Sequence, residues 1–409
     1  MAVTEVTEES WGSRLGGAFK GILVGIVLFV LAFPLLFWNE GRAVRRAQAL
    51  SAGAAAVVSV PSDKVQPANE GKLVHVSGML LTDDVLTDAR FGVSIKGIRL
   101  ERHVEMFQWR EKSSTQSEKQ LGGSVKKTTT YTYSKVWSGT LINSSEFKEA
   151  GHDNPGAFPV ESAKWYASDV KLGAFVLRND FIKRIGGAQT YAFPADYKLP
   201  ADVRGRIENG RIMIPAAPAS APAAVAAAVS EAVAGPAPAA GAPAAAGPRI
   251  GDVRITYTQI LPHDVSIVAQ QVKDSFCPFP VKEDTILLMA DSIQSAELMF
   301  SKAQSANNTL TWILRIVGFL MMFIGLSMVF RPLSVLGDVL PILGDLIGMG
   351  TGLLSFLIAL PCWLICIAVA WLFYRPLLGI FLLLLAAGAV VLLVKKRKKK
   401  QAAPQAPAA

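Results

Sequence analysis

The stretch GILVGIVLFVLAFPLLFWNEGRAVRR, residues 21–46, decides the fold class of this chain. Residues 21–38 carry no charge, and as a helix rising about 1.5 Å per residue they are just long enough to cross a hydrocarbon layer of about 30 Å. Phe37 and Trp38 end the apolar run with aromatic side chains, which favour the membrane surface. The stretch therefore predicts a transmembrane helix that leaves the bilayer near Trp38.

A removable signal peptide is the alternative interpretation, because Ala47-Gln48-Ala49 has the small-x-small pattern of a cleavage site. That site is separated from the apolar run by Arg42, Arg45 and Arg46, which favours a retained helix. The three arginines recur at helical spacings of three and four, so they are candidate contacts for lipid headgroups. A helix that continues past Gly41 would form a rigid stalk.

The composition of the whole chain also indicates a membrane protein. Of its 409 residues, 51% are hydrophobic, and the mean hydropathy of +0.36 is too high for an ordinary soluble enzyme. The net charge is +9, and six positive charges lie in the run KKRKKK at 395–400. This charge belongs to a tail beside a membrane, so we expect no nucleic-acid partner.

Three further apolar segments predict three more spans. Arg331-Pro332 and Arg375-Pro376 mark helix boundaries, since proline cannot continue the preceding helical ladder and arginine prefers the interface. Arg315 lies one turn inside the second span, from where its long side chain can reach the headgroups. The predicted segments are the spans at 309–330, 347–373 and 376–394, and a connector at 331–346.

The orientation follows from the charges beside the spans. Four spans place both termini on one side, and the basic tail at 395–409 assigns that side to the cytoplasm by the positive-inside rule. Residues 1–20 are then cytoplasmic, and residues 39–308 form an extracytoplasmic or lumenal domain. The three arginines after the first span favour the reverse orientation, but the six charges of the tail outweigh them.

The polar half of the chain has strand-like patterns. IRLERHVEMFQW at 98–109 and KKTTTYTYSKVW at 126–137 predict a long hairpin. A second hairpin is predicted for 252–260 and 264–272, across Leu261-Pro262-His263. The fold class is therefore an α-helical membrane protein with four transmembrane helices plus a large β-rich α+β extracytoplasmic domain.

Two other segments interrupt this β pattern. Residues 215–248 consist almost entirely of Ala, Pro and Gly, which provide no large side chains for a core, so we expect a disordered linker. Residues 291–306 predict an amphipathic helix that lies either on the membrane surface or on the β-rich domain.

No pattern in the sequence predicts catalysis. A nucleophile elbow, a P-loop and a dinucleotide glycine motif are all missing, so we predict a non-enzymatic protein without catalytic, cofactor or metal residues. His103 and Glu105 share one face of a predicted strand, as two metal ligands could. Phe107 and Trp109 continue that face, which favours a packed strand.

The connector contains Leu-Gly-Asp twice, so Asp338 and Asp345 would lie nearly above one another on a helix. One interpretation is an interfacial or re-entrant hairpin whose carboxylates face water or pair with Arg331. The other is a proton or cation path, because carboxylates are rare at membrane depth. Since both aspartates fall between spans, the interfacial interpretation is favoured.

The order of several short motifs resembles the transmembrane protein 43 family, also called LUMA. The resemblance implies a four-span protein with a large lumenal domain, found in the endoplasmic reticulum and inner nuclear membrane of eukaryotes, with roles in membrane organisation and self-association. The Ala/Pro composition and short basic tail instead favour a bacterial inner membrane with the domain in the periplasm. The motifs are NEGRA (39–43), NEGKLVHVSG (69–78), LERHVEMFQW (100–109), INSSEF (142–147), GHDNP (151–155), VES (160–162) and WLFYRPL (371–377).

These patterns lead to three hypotheses for function. The first is a membrane-organising scaffold that contacts membrane lipids, self-associates and recruits other membrane proteins. The second is a lipid- or ligand-sensing protein whose extracytoplasmic domain reads the membrane surface. The third, an enzyme or ion pathway, would require a deep polar pocket, or Asp338 and Asp345 buried within the bilayer.

Overall fold

The computed structural model describes residues 3–216 and 247–376 of the chain. The predicted basic tail at 395–409, nearly all of the fourth predicted span at 376–394 and most of the linker at 215–248 lie outside these residues. The helices in the described part are α1 (Trp11–Ala56), α2 (Asn179–Ile182), α3 (Ala296–Gly337) and α4 (Pro341–Tyr374), and Pro67–Asn69 form a short 3-10 turn.

Nineteen strands make up the β-rich part of the described chain. They are β1 (Val3–Glu9), β2 (Val58–Ser59), β3 (Leu73–Leu81), β4 (Val85–Asp88), β5 (Val93–Lys96), β6 (Arg99–Lys119), β7 (Val125–Ser138), β8 (Ala163–Tyr166), β9 (Val170–Leu172), β10 (Phe175–Leu177), β11 (Gln189–Thr190), β12 (Arg206–Glu208), β13 (Arg211–Ile214), β14 (Val253–Ile260), β15 (Asp264–Val272), β16 (Ser275–Cys277), β17 (Phe279–Val281), β18 (Asp284–Ile286) and β19 (Leu288–Ala290).

Most of these strands belong to two sheets with separate cores. The eight-stranded sheet has the order β1-β7-β6-β14-β13-β12, with β11 beside β14 and β8 beside β6. The seven-stranded sheet has the order β10-β9-β3-β15-β16, with β19 beside β15 and β2 beside β3. In β14 the buried residues Val253, Ile255 and Tyr257 alternate with more exposed ones, as a strand with one covered face requires. The prediction of a large β-rich region is confirmed.

One of the two predicted hairpins is confirmed and the other is wrong. Strands β6 and β7 pair antiparallel from Met106↔Ser138 to Lys119↔Val125. In contrast, β14 pairs with β6, and β15 pairs with β3 in the other sheet. Leu261-Pro262-His263 therefore carries the chain from one sheet to the other. Each strand instead satisfies its backbone hydrogen bonds within its own sheet, β14 along eight residues of β6 and β15 along seven residues of β3.

Three long helices carry the apolar segments. Within the described ranges, α1, α3 and α4 are long and apolar enough to span a bilayer, so three candidate spans are seen and the predicted total of four is not confirmed. Helix α1 runs unbroken through Gly41, as the stalk hypothesis requires. The Arg331-Pro332 boundary is wrong because Pro332 lies inside α3. A proline is tolerated in an apolar helix when neighbouring groups satisfy the freed carbonyl.

The first turns of α3 pack on the β-rich part. Met299 and Phe300 of α3 are buried in one cluster with Leu50 of α1 and with Val268 and Ile286 of the strands. The predicted amphipathic segment at 291–306 therefore places its apolar face on the domain. It also continues directly into the second span as a single helix.

The tip of the β6–β7 hairpin contacts the helices near the α3–α4 turn, at the end away from the first turns of α3. The Lys119 ammonium donates to Asp338 (2.6 Å) and to Asp345 (2.7 Å), and the Gly122 amide donates to the carbonyl of Val339 (3.1 Å). Strand β1 pairs along β7 from Val3↔Tyr131 to Glu9↔Val125. With 21 residues in β6 and 46 in α1, strand and helix are both about 69 Å long.

This contact bears directly on the predicted topology. Residues 1–20 and 331–346 were assigned to the cytoplasm and residues 39–308 to the opposite side, yet β1, the hairpin tip and the α3–α4 turn lie together. Residues in contact cannot be separated by a bilayer, so the two-sided assignment does not describe this conformation. The orientation itself stays a prediction.

We expect a short thiol-reactive cross-linker to join Lys119→Cys and Asp345→Cys in detergent-solubilised protein, in a Cys277→Ser background. The reason is the direct Lys119–Asp345 contact of 2.7 Å. Pairing Lys119→Cys with Asp284→Cys at the other end of the helices is the matched control. Failure of the first pair to cross-link in detergent would contradict the docked hairpin. Efficient cross-linking in intact membranes would show that residues 119 and 345 lie on the same side, and would overturn the predicted two-sided topology.

Candidate functional site

Four consecutive residues of α1, Asn39-Glu40-Gly41-Arg42, contact the other two long helices. They lie in the middle of α1, where successive side chains point about 100° apart. Asn39 and Arg42 reach α3, Gly41 reaches α4, and Glu40 reaches both. The segment therefore joins α1 to both α3 and α4, and through Glu40 it does so by polar contacts.

A buried ion pair lies at the centre of this segment. Arg315 donates to the two carboxylate oxygens of Glu40 at 2.6 and 2.8 Å, and the Glu40 side chain is 0% exposed. The Trp371 indole N–H also donates to Glu40 (2.9 Å), and the Trp363 indole N–H donates to the backbone carbonyl of Arg315 (2.9 Å). A bidentate pair with added donors is the geometry that a charge needs when it leaves water.

The Arg315 cation is also packed between aromatic rings. Its guanidinium carbon lies 4.8 Å from the ring centre of Trp312 and 5.6 Å from that of Trp371. The sequence predicted instead that Arg315 extends to the lipid headgroups. That prediction is wrong for this conformation, because a carboxylate on α1 binds the side chain where it is.

Asn39 and Arg42 extend the network along α3. The Asn39 amide donates to the Thr311 carbonyl (3.1 Å), and Arg42 donates to the side chains of Asn307 (2.9 Å) and Thr311 (3.0 Å). Asn307 in turn donates to the carbonyl of Ala43 (3.0 Å). The predicted headgroup contact Arg42 is thus held by α3, which fixes its position at the edge of the site.

Gly41 permits the close approach of α4. A Cβ atom on Gly41 would lie 2.6 Å from the ring of Tyr374, so a side chain there would force that ring out of its position. This explains physically why a glycine, a weak helix former, occupies the middle of a long helix.

Arg45 and Arg46 line a groove between α1, α3 and the β17–β18 turn. Arg45 lies 3.6 Å from Glu283, while Arg46 contacts Asp284 (3.2 Å) and donates to the Thr285 carbonyl (2.6 Å). The groove has a volume of about 540 Å³. Both predicted headgroup contacts therefore lie at one solvent-accessible recess, each beside an acidic side chain.

Of the two aspartates of the predicted connector, Asp338 lies at the tight turn after α3 and Asp345 lies in the second turn of α4. Asp338 is 1% exposed and binds Arg14 and Lys119, whereas Asp345 is 68% exposed and binds Lys119. Neither carboxylate pairs with Arg331 in the described structure. Lys119 joins them, which places the two aspartates in one cluster at the end of the helices.

The strand residues considered as metal ligands have other partners. His103 contacts Thr258 (3.0 Å) and Glu101 (3.2 Å), and Glu105 is bound by both donors of Arg254 at 2.6 and 2.9 Å. Among residues 3–216 and 247–376, no group of three or more His, Cys, Asp or Glu side chains could hold a metal ion.

The Glu105 contact predicts a pH effect on stability. Hydrogen bonds from Arg254 lower the pKa of Glu105 below its usual 4.5. A carboxyl group with a lower pKa in the folded state stabilises the fold above its unfolded pKa, and this stabilisation is lost as pH falls through the folded pKa. In Arg254→Met, Tm should therefore fall less steeply as the pH is lowered below about 4.5. Arg206→Met, which removes an exposed pair with Glu208, is the control and should leave the slope unchanged.

Sequence reasoning missed Glu40 as a site residue. Two features could have indicated it: Glu40 lies just after the first span, and its charge is opposite to that of Arg315, which lies just inside the second span. Successive antiparallel spans bring such positions to the same membrane surface, so an ion pair between them could have been proposed. Trp363 and Trp371 carried no comparable signal, because tryptophan is common at membrane interfaces for other reasons.

The chain is similar to known proteins over most of its length. It is 34% identical over 390 residues to transmembrane protein 43 of Mus musculus, which covers 92% of this chain and 90% of the relative. Identity to transmembrane protein 43 of Homo sapiens is 35% over 377 residues, covering 89% and 87%. A transmembrane protein 43 homolog of Drosophila melanogaster is 27% identical over 377 residues, covering 88% and 90%. No solved structure matches the chain.

These relatives are animal proteins, so they give no support to the expectation of a bacterial inner membrane. The family model described as transmembrane protein 43 matches residues 106–376, which include most of the β-rich part and both α3 and α4. Apolar helices of spanning length and relatives matched over about nine-tenths of the chain agree with the ordered motifs. This integral membrane protein therefore belongs to the transmembrane protein 43 family.

Proposed function

We propose that this protein is a non-enzymatic membrane scaffold that self-associates and recruits other membrane proteins. The observation that carries the proposal is the passage of α1 from the helical bundle into the β-rich part without a break. Leu50 is buried there beside Phe300, and a Cβ on Gly53 would lie 2.2 Å from Ile286. Because α1 is packed against the β-rich part, that part cannot reorient freely relative to the helices. A fixed orientation suits a scaffold that holds other membrane proteins at defined positions.

Self-association and recruitment can be measured on the full chain in nanodiscs and in native membranes. We expect light scattering to give a mass above that of one protomer, and in-membrane cross-linking to capture the same set of membrane proteins repeatedly. A strictly monomeric protein that captures no membrane protein would contradict the scaffold proposal.

The rigid connection can be tested by interrupting α1. A Gly-Ser-Gly insertion between Ala47 and Gln48 should separate the bundle from the β-rich part and abolish recruitment, while both parts keep their secondary structure. The same insertion after Gly210, a turn residue with no atom within 4 Å of its Cβ position, is the matched control. Equal recruitment by the two variants would show that the rigid connection is not required.

A further inference from the structure

The groove lined by Arg42, Arg45 and Arg46, here called the arginine groove, has walls formed by the antiparallel helices α1 and α3. On α1 the wall contains Trp38, Arg42 and Arg45, at spacings of four and three. On α3 it contains Ala303, Ala306, Asn307 and Leu310, at spacings of three and four. The β17–β18 turn, with Glu283 and Asp284, closes the end farthest from the bundle.

The groove changes from apolar to charged in the direction that leads out of a bilayer. At its apolar end, Trp38 is 53% exposed and Leu310 is 43% exposed, and Trp312, two residues after Leu310 along α3, is 55% exposed. Exposed tryptophans at the end of apolar helices mark the headgroup level of a membrane. Arg45 and Arg46 follow about two helical turns, roughly 10–12 Å, after Trp38, from where their long side chains can reach back to lipid phosphates.

The arginines differ in how firmly the protein holds them. Arg42 is anchored by Asn307 and Thr311, and Arg46 by Asp284 and the Thr285 carbonyl. Among the residues that the structure describes, the one charged partner of Arg45 is Glu283 at 3.6 Å, whose side chain is 77% exposed. An ion pair this exposed contributes little, so Arg45 can exchange Glu283 for another anion.

We propose that this groove binds the phosphodiester headgroup of one anionic phospholipid, with Arg45 as the main phosphate contact. Three arginines face two acidic side chains, which leaves one positive charge, and a phosphodiester carries one negative charge. Guanidinium groups recognise phosphate oxygens in pairs, and the alanines and Leu310 give an acyl chain an apolar path. This inference is independent of the scaffold proposal.

The experiment is native mass spectrometry of the full-length, detergent-released protein with added lipid. Dioleoyl phosphatidylglycerol should bind about tenfold more tightly than dioleoyl phosphatidylcholine, and millimolar inorganic phosphate should not displace it. Arg45→Gln should weaken phosphatidylglycerol binding about tenfold. Glu283→Gln should strengthen it, since the competing carboxylate is removed.

Arg178→Gln is the control, because Arg178 is an exposed arginine beside α2. It should bind phosphatidylglycerol like the unaltered protein. If these two residues had only a structural role, neither substitution would tighten phosphatidylglycerol binding. Opposite changes in affinity for Arg45→Gln and Glu283→Gln therefore indicate direct binding. Unchanged binding in both variants, or full displacement of the lipid by inorganic phosphate, would overturn the proposal.

Discussion

Arg315→Leu is expected to lower the free energy of unfolding by about 3–5 kcal/mol, because it leaves the Glu40 carboxylate buried without its partner. Glu40 is 0% exposed, so water cannot replace the two hydrogen bonds that Arg315 donates. The Trp371 indole is the one remaining donor to this carboxylate among the described residues. The three helices would then meet around an unpaired charge.

The measurement is reversible unfolding in mixed micelles, followed by circular dichroism as the denaturing detergent is raised. Glu40→Leu combined with Arg315→Leu should recover much of the loss, since replacing a whole buried pair by apolar residues is often neutral. Arg45→Leu is the control, because Arg45 is 41% exposed and should change stability by about 0.5 kcal/mol or less. A single Arg315→Leu variant as stable as this control would show that the ion pair does not join the helices.

The spans and the first hairpin could be predicted because their causes are local. The charge-free run 21–38 requires a helix wherever it crosses a bilayer, and the Thr and Tyr residues at 128–133 favour a strand. The second hairpin was predicted on the same local grounds and is wrong. Strand pairing depends on which partner is nearest in the fold, and for β14 this partner is β6, more than a hundred residues earlier.

The candidate site could be predicted only in part. The spacing of Arg42, Arg45 and Arg46 placed all three at one end of α1, and the structure brings them to one groove. Their partners Asn307 and Glu283 are far away in sequence, and no local pattern connects them to α1. The sequence therefore indicates where the cations lie but not which of them remains available to a ligand.

The contact of the hairpin tip with Asp338 could not be predicted from local patterns either. Lys119 ends a polar strand and Asp338 follows an apolar helix, so hydropathy assigns them to different environments. Their contact is a tertiary interaction between the far end of a long hairpin and a turn between helices. The cross-linking of Lys119→Cys to Asp345→Cys in intact membranes tests whether this contact persists in a bilayer.

Gly25→Ala is expected to destabilise the bundle by about 2–3 kcal/mol, because α1 and α3 touch through backbone atoms at this point. A Cβ on Gly25 would lie 2.5 Å from the carbonyl oxygen of Gly325 and 2.9 Å from the Cβ of Met328. A Cβ on Gly325 would lie 2.6 Å from the carbonyl oxygen of Gly25. Neither backbone can yield without moving a helix, and small residues at such crossings are how membrane helices approach closely.

Gly17→Ala is the matched control for this prediction, since it makes the same change in the same helix. No atom lies within 4 Å of the Cβ position at Gly17, so alanine there should stabilise α1 by up to about 1 kcal/mol through its higher helix propensity. The two substitutions should therefore shift the unfolding midpoint in opposite directions in one micelle titration. Stabilisation by Gly25→Ala would mean that α1 and α3 are farther apart than the Gly25–Gly325 contact requires. The same helix packing aligns Glu40 with Arg315, so that ion pair would then also be in question.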